Sequence, residues 1–172
     1  MVSITDATGK HKTLDWNTHS QLLCYRDCSN AETHYRYDAR DQLSQSINAR
    51  GESQHYRYDR RGLLVESERP DGRLDRYERD SAGQIIGYTD PAQQTTRYQY
   101  DLSGRVKQRT DALGHSVRLS YDAYGRLQKL TNENNEAYAF GWDALDRLVA
   151  QRDLDGSGRS ITTPLNALSA SS

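Results

Sequence analysis

The stretch His55–Leu64, HYRYDRRGLL, decides the fold, because HYRYDARDQL already stands 21 residues upstream at His34–Leu43. A segment that returns at a fixed interval is a building unit before it is a site. Counting in steps of 21 gives Asn17, Asp38, Asp59, Asp80, Asp101, Asp122 and Asp143 with no insertion or deletion. Two residues before each stands Trp16, Tyr37, Tyr58, Arg79, Tyr100, Tyr121 or Trp142, and two before that Leu14, Tyr35, Tyr56, Tyr77, Tyr98, Leu119 or Phe140. Three residues after the Asp column come Ser20, Asp41, Gly62, Gly83, Gly104, Gly125 and Asp146; two further on come Leu22, Leu43, Leu64, Ile85, Val106, Leu127 and Leu148. Seven units are legible.

A second turn signal falls about halfway through each unit: DATG at Asp6, NARG at Asn48, RPDG at Arg69, DPAQ at Asp90, DALG at Asp111, NENN at Asn132 and DLDG at Asp153. Asp or Asn at the first position accepts from backbone amides, Pro at the second presets φ, and Gly or Asn at the fourth takes positive φ. The turns separate runs of six or seven residues, the length of a strand. Within Glu52–Tyr58 the tyrosines fall on one face, with His55 and Arg57 on the other, as period-2 alternation requires. No run carries a sustained 3.6-residue apolar pattern. The expected fold is all-β: tandem 21-residue β-hairpins, about fourteen strands, forming a curved, spiral antiparallel sheet. The repeats are expected over 1–158 as one continuous sheet, with 159–172 as a flexible tail lacking a strand pattern.

Composition agrees with a wall rather than a globule. Leu, Ile, Val and Phe make up only about 16% of the 172 residues, while the net charge is −1 and tyrosine is abundant at 12 copies. A tyrosine ring covers a half-exposed sheet surface while its hydroxyl stays wet. No apolar run reaches the roughly 20 residues of a membrane helix, and the start lacks a signal-peptide apolar region. The expectation is synthesis in the cytoplasm, with secretion as part of a larger effector.

The pattern Tyr-x-Tyr-Asp-x-x-Gly-Arg-Leu, carried by YQYDLSGRV from Tyr98 and LSYDAYGRL from Leu119, resembles the YD repeat of Rhs proteins, of C components of insecticidal toxin complexes and of teneurins. The resemblance covers about residues 1–158. It implies a spiral β-shell segment of a bacterial polymorphic-toxin protein that helps to encapsulate a C-terminal toxin or secreted cargo. The alternative is a carbohydrate- or cell-surface-binding module on the same repeats. The self-cleaving, Asp-Pro- and Gly-rich closing region of Rhs proteins has no counterpart after Asp153, so no autoproteolytic residue is carried over.

The recurring aspartates serve turns, since a catalytic carboxylate pair belongs to one pocket. With no nucleophile, phosphate-loop or zincin motif, no enzyme activity and no cofactor are expected. Cys24 and Cys28 read as incidental thiols and no metal is expected, because scattered His11 and His19 do not supply a structural zinc set. The candidate binding surface is a basic stripe, His34, His55, Arg76, Arg97 and Arg118, facing away from the tyrosines and suited to an anionic partner. Expected partners are the rest of a shell or its cargo, then a glycan or surface protein, with nucleic acid the least suited. Raw strand edges near Thr5 and Gln151 lead one to expect self-association.

Overall fold

The computed structural model describes residues 2–5, 7, 9–154 and 160–164. Among them are sixteen strands: β1 (Val2–Thr5), β2 (His11–Trp16), β3 (Leu22–Arg26), β4 (Glu32–Tyr37), β5 (Leu43–Ile47), β6 (Ser53–Tyr58), β7 (Leu64–Glu68), β8 (Leu74–Arg79), β9 (Ile85–Thr89), β10 (Thr95–Tyr100), β11 (Val106–Thr110), β12 (Ser116–Tyr121), β13 (Leu127–Thr131), β14 (Ala137–Trp142), β15 (Leu148–Leu154) and β16 (Ser160–Pro164). Hydrogen-bonded neighbours follow chain order without a crossover. The fold is all-β, built of tandem antiparallel hairpins at the 21-residue period. β2–β15 are the fourteen strands of the seven units; β1 and β16 are additional.

The chain divides into two compact units, one of Met1–Gly83 with Tyr88–Gln93, the other of Gln84–Gly87 with Gln94–Ser172. In the first, cross-strand partners Trp16↔Leu22, Tyr37↔Leu43 and Tyr58↔Leu64 share one face, and Tyr56↔Ser67↔Asp75 continue it. The opposite face carries Asp15↔Cys24↔His34 and Arg57↔Glu66↔Arg76. In the second unit Tyr100↔Val106, Tyr121↔Leu127 and Trp142↔Leu148 repeat the first face. Arg118 lies on the other face, opposite Gln108 and Thr131.

The tyrosine-side hairpins β2–β3, β4–β5, β6–β7, β10–β11, β12–β13 and β14–β15 slip register by one residue beside the turn, as between Gln99 and Tyr100 or Arg57 and Tyr58. Two residues of the outgoing strand thus oppose one of the incoming strand, a β-bulge. It is this bulge that brings the leucine column onto the tyrosine face, because Tyr100 opposes Val106 while Gln99 opposes Gln108.

No apolar side chain among the described residues is fully buried. The buried side chains are polar, Ser67 at 4% and Asp75 at 6% exposure. Stability therefore rests on contacts between successive hairpins, the quasi-one-dimensional arrangement of repeat proteins.

The tail expectation is corrected in part. β16 lies within the segment expected to lack a strand, and pairs antiparallel with β15 from Ala150↔Pro164 to Leu154↔Ser160. Pattern reading missed it because an open strand edge supplies a template of amides and carbonyls to whatever backbone follows. The edge expected near Gln151 is consequently paired, Gln151 facing Thr163. Residues 159 and 165–172 lie outside the described residues, as do parts of the turns at Asp6 and Asp153.

Candidate functional site: the repeat columns and the two sheet faces

The aspartate column builds its turn through one oxygen. Asp38 Oδ1 accepts the amides of Arg40 at 2.8 Å and Gln42 at 3.0 Å, and Asp59, Asp101, Asp122 and Asp143 do the same two and four residues on. The Asp80 carbonyl accepts from Gly83 in the equivalent turn. Bonds of this kind favour the ionised carboxylate. The Leu63 amide holds Asp59 below the usual carboxylate range, as the Arg105 and Arg147 amides hold Asp101 and Asp143. The residue three after the Asp takes positive φ: Gly62 at 83°, Gly83 at 87°, Gly104 at 79° and Gly125 at 88°, with Ser20, Asp41 and Asp146 near 60°. A Cβ on Gly104 would meet Gln84 Nε2 at 3.0 Å.

The second tyrosine column does more than cover the sheet. The hydroxyls of Tyr37, Tyr58, Tyr100 and Tyr121 donate to the carbonyls of Leu22, Leu43, Ile85 and Val106 at 2.7–2.9 Å, always 15 residues back in the preceding unit. The ladder between units, such as β3–β4, pairs only three residues and ends before the turn. The phenol spans the gap that the ladder leaves. Where the column departs from tyrosine a donor persists: Arg79 Nε reaches the Leu64 carbonyl at 3.0 Å and Trp142 Nε1 the Leu127 carbonyl at 2.8 Å. Sequence reading treated these hydroxyls as wet; the signal for their role was that Trp16, Arg79 and Trp142, the residues that replace tyrosine in the column, all retain an N–H.

A second link runs along the turns. Gln42 and Gln84 donate to the Gly62 and Gly104 carbonyls, and Arg126 to that of Asp143. Where Leu63 occupies this column and has no donor, Arg61 substitutes and reaches the Ser81 and Asp80 carbonyls.

The unit beginning at Arg69 departs most from the repeat. Arg69 stands where other units have Asp or Asn, and its guanidinium makes two bonds to buried Asp75, at 2.8 and 3.1 Å. Tyr88 donates to the same carboxylate at 2.6 Å, its ring 5.4 Å from that of Tyr77. Arg69 lowers the Asp75 carboxyl, and the hydrogen bond to Asp75, with desolvation, pushes Tyr88 up to about 12. The charge is thus satisfied in place.

His34, His55, Arg76, Arg97 and Arg118 all lie exposed on the face away from the tyrosines. Much of their charge is answered locally: Glu66 pairs with Arg76 at 3.0 Å and Arg57 at 3.2 Å, and Glu32 contacts His34 at 3.0 Å. Arg97 opposes Thr110, and Arg118 lies between Gln108 and Thr131. The same face groups Cys24 with Glu32 and His34, which sequence reading kept apart. Register makes that grouping, since Cys24 opposes His34 across the hairpin while ten residues separate them in the chain.

In-phase hairpins, each locked by a side-chain donor onto the backbone of its predecessor, define a segment of YD-repeat shell. The sequence model of the teneurin YD-shell matches residues 5–161, and the chain belongs to that family. Among solved structures it is similar to the Photorhabdus luminescens Tc holotoxin pore, with a TM-score of 0.72 and 16% identity over 90% of this chain and 9% of that one. The crystal structures of TcdB2-TccC3, alone and with Cdc42, each match with a TM-score of 0.73 and 16% identity over 90% of this chain and 10% of theirs. The chain thus spans about a tenth of the length of those chains, and the likeness is one of fold. No helix of the described residues is long and apolar enough to cross a membrane.

Proposed function

We propose that this chain is a non-catalytic stretch of wall in an Rhs/YD-type shell, and that the shell holds a C-terminal toxin or other secreted polypeptide until delivery. The observation that carries this reading is the recurrent bond from the second aromatic column to the carbonyl 15 residues earlier. It couples every unit to its predecessor and to nothing else, which is how a wall of arbitrary length is assembled. The solved relatives that share the fold belong to Tc toxin complexes, and a wall with polar side chains on both faces suits the lining of an enclosure. The recurring aspartates are spent on turn amides, which supports a role without chemistry.

The test uses the full-length parent protein with a protease site placed in the polypeptide downstream of the repeats. Slow cleavage in the native protein, becoming fast when two central repeats are deleted, is the expected result. Equal rates in both proteins would defeat enclosure. A glycan array on the isolated chain separates the recognition alternative, which requires specific binding that Arg97→Ala with Arg118→Ala abolishes.

A further inference from the structure

Cys24, Glu32 and His34 project from β3 and β4 onto one face, with the thiol sulfur, a carboxylate oxygen and an imidazole nitrogen all within 4.8 Å of one another. We infer that these three side chains form a binding site for one divalent cation of the zinc class. The donor set selects the metal: a thiolate and an imidazole suit zinc and its borderline neighbours, whereas calcium and magnesium take oxygen ligands.

The backbone holds the ligands in place. Cys24 is the cross-strand partner of His34, and Glu32 is two residues from His34 on the same face, opposite Arg26. Zinc–ligand bonds near 2.0–2.3 Å put tetrahedral ligands roughly 3.4 Å apart. Side-chain rotation alone closes that difference, with no change of register. Glu32 is already divided for the task. Its Oε1 takes Arg26 Nε at 2.8 Å, while Oε2 lies 3.0 Å from His34 Nε2. A cation entering between Oε2, Nε2 and Sγ leaves Arg26 on Oε1, where it orients the carboxylate as outer partners do in metal sites. Asp15 opposes Cys24 from β2 on the same face. Its carboxylate is the candidate fourth ligand, with water the alternative. Cys28, exposed in the turn between β3 and β4, is not needed.

Cobalt(II) added to the full chain under reducing conditions tests the site. The expected result is saturation at one equivalent, with a thiolate-to-cobalt charge-transfer band in the near ultraviolet, visible bands of a tetrahedral ion, and bleaching by zinc(II). Cys24→Ser abolishes the charge-transfer band, Cys28→Ser leaves it intact, and His34→Ala or Glu32→Gln weakens binding by about tenfold or more. Far-UV circular dichroism establishes that each variant keeps its sheet. Should Cys24→Ser unfold, His34→Gln replaces it and must weaken binding likewise. The site is refuted if no saturable band appears, if the band survives Cys24→Ser, or if it vanishes with Cys28→Ser.

Discussion

Replacing Tyr58 by Phe removes one oxygen and, with it, the 2.9 Å bond to the Leu43 carbonyl. The ring remains to cover Leu64, its cross-strand partner, so the perturbation isolates the hydrogen bond. A net protein hydrogen bond contributes about 1 kcal/mol, and a fully buried orphan acceptor costs about 1–3 kcal/mol. The Leu43 carbonyl sits where the inter-unit ladder opens and water can partly replace the phenol, which points to the low end, about 1–1.5 kcal/mol. For a chain of this size that lowers the melting temperature by about 2–6 °C. Tyr121→Phe, which removes the 2.8 Å bond to the Val106 carbonyl, is expected to cost about the same. The two sites lie three repeats apart without shared partners, so their effects add to about 2–3 kcal/mol in the double variant. Urea unfolding followed by circular dichroism measures the sum, and amide exchange locates it at the β5–β6 and β11–β12 junctions. A double variant as stable as the parent would mean that the inter-unit hydroxyl bonds do not hold the wall together.

Gln93→Gly relieves a non-glycine residue at φ 64° and should stabilise by about 0.5–1 kcal/mol, read as a raised urea midpoint. Gly104→Ala, at φ 79° and with its new Cβ 3.0 Å from Gln84 Nε2, should destabilise by about 1–2 kcal/mol in the same assay. The turn carboxyls set the acid limit: because Asp59, Asp101 and Asp143 are lowered in the fold, their contribution is complete above the ordinary value near 4 and lost as pH falls through the lowered values. Acid unfolding should steepen below about pH 4, and Asp101→Ala with Asp143→Ala should flatten it. Tyr88, raised to about 12, contributes fully below the ordinary value near 10 and loses its contribution as pH rises through 12; Tyr88→Phe removes that step from an alkaline melt. The isolated chain should self-associate through β1, whose Val2 and Ile4 are 51% and 53% exposed, and sedimentation in which Ile4→Lys leaves the association unchanged would refute that route.

The period, the turn positions and the strand faces could be read from the sequence because each is set by local chemistry. Asp38 caps its own turn, Gly62 supplies its own positive φ, and Tyr56 and Tyr58 declare their face by alternation. What could not be read depends on register. That the leucine column shares the tyrosine face was expected; the bulge that puts Leu64 there, the 15-residue reach of Tyr58 and the meeting of Cys24 with His34 all require knowing which residue stands opposite which. β16 was illegible for a related reason, since Ser160–Pro164 owes its strand to the edge of β15 and not to any pattern of its own.

The lock between units has a consequence for how such a gene can change. Its acceptor is always a main-chain carbonyl, which every residue provides, so the lock asks only that the incoming side chain carry a hydrogen at the right reach. Tyrosine, arginine and tryptophan all pass that requirement at Tyr58, Arg79 and Trp142. A repeat duplicated by unequal recombination therefore arrives with its own donor and finds an acceptor waiting in whichever repeat precedes it. A change in copy number therefore needs no compensating mutation at the joint itself, whatever it does to the closure of the whole shell, and the sequence of each copy can wander far from its neighbours while the joint between them stays closed.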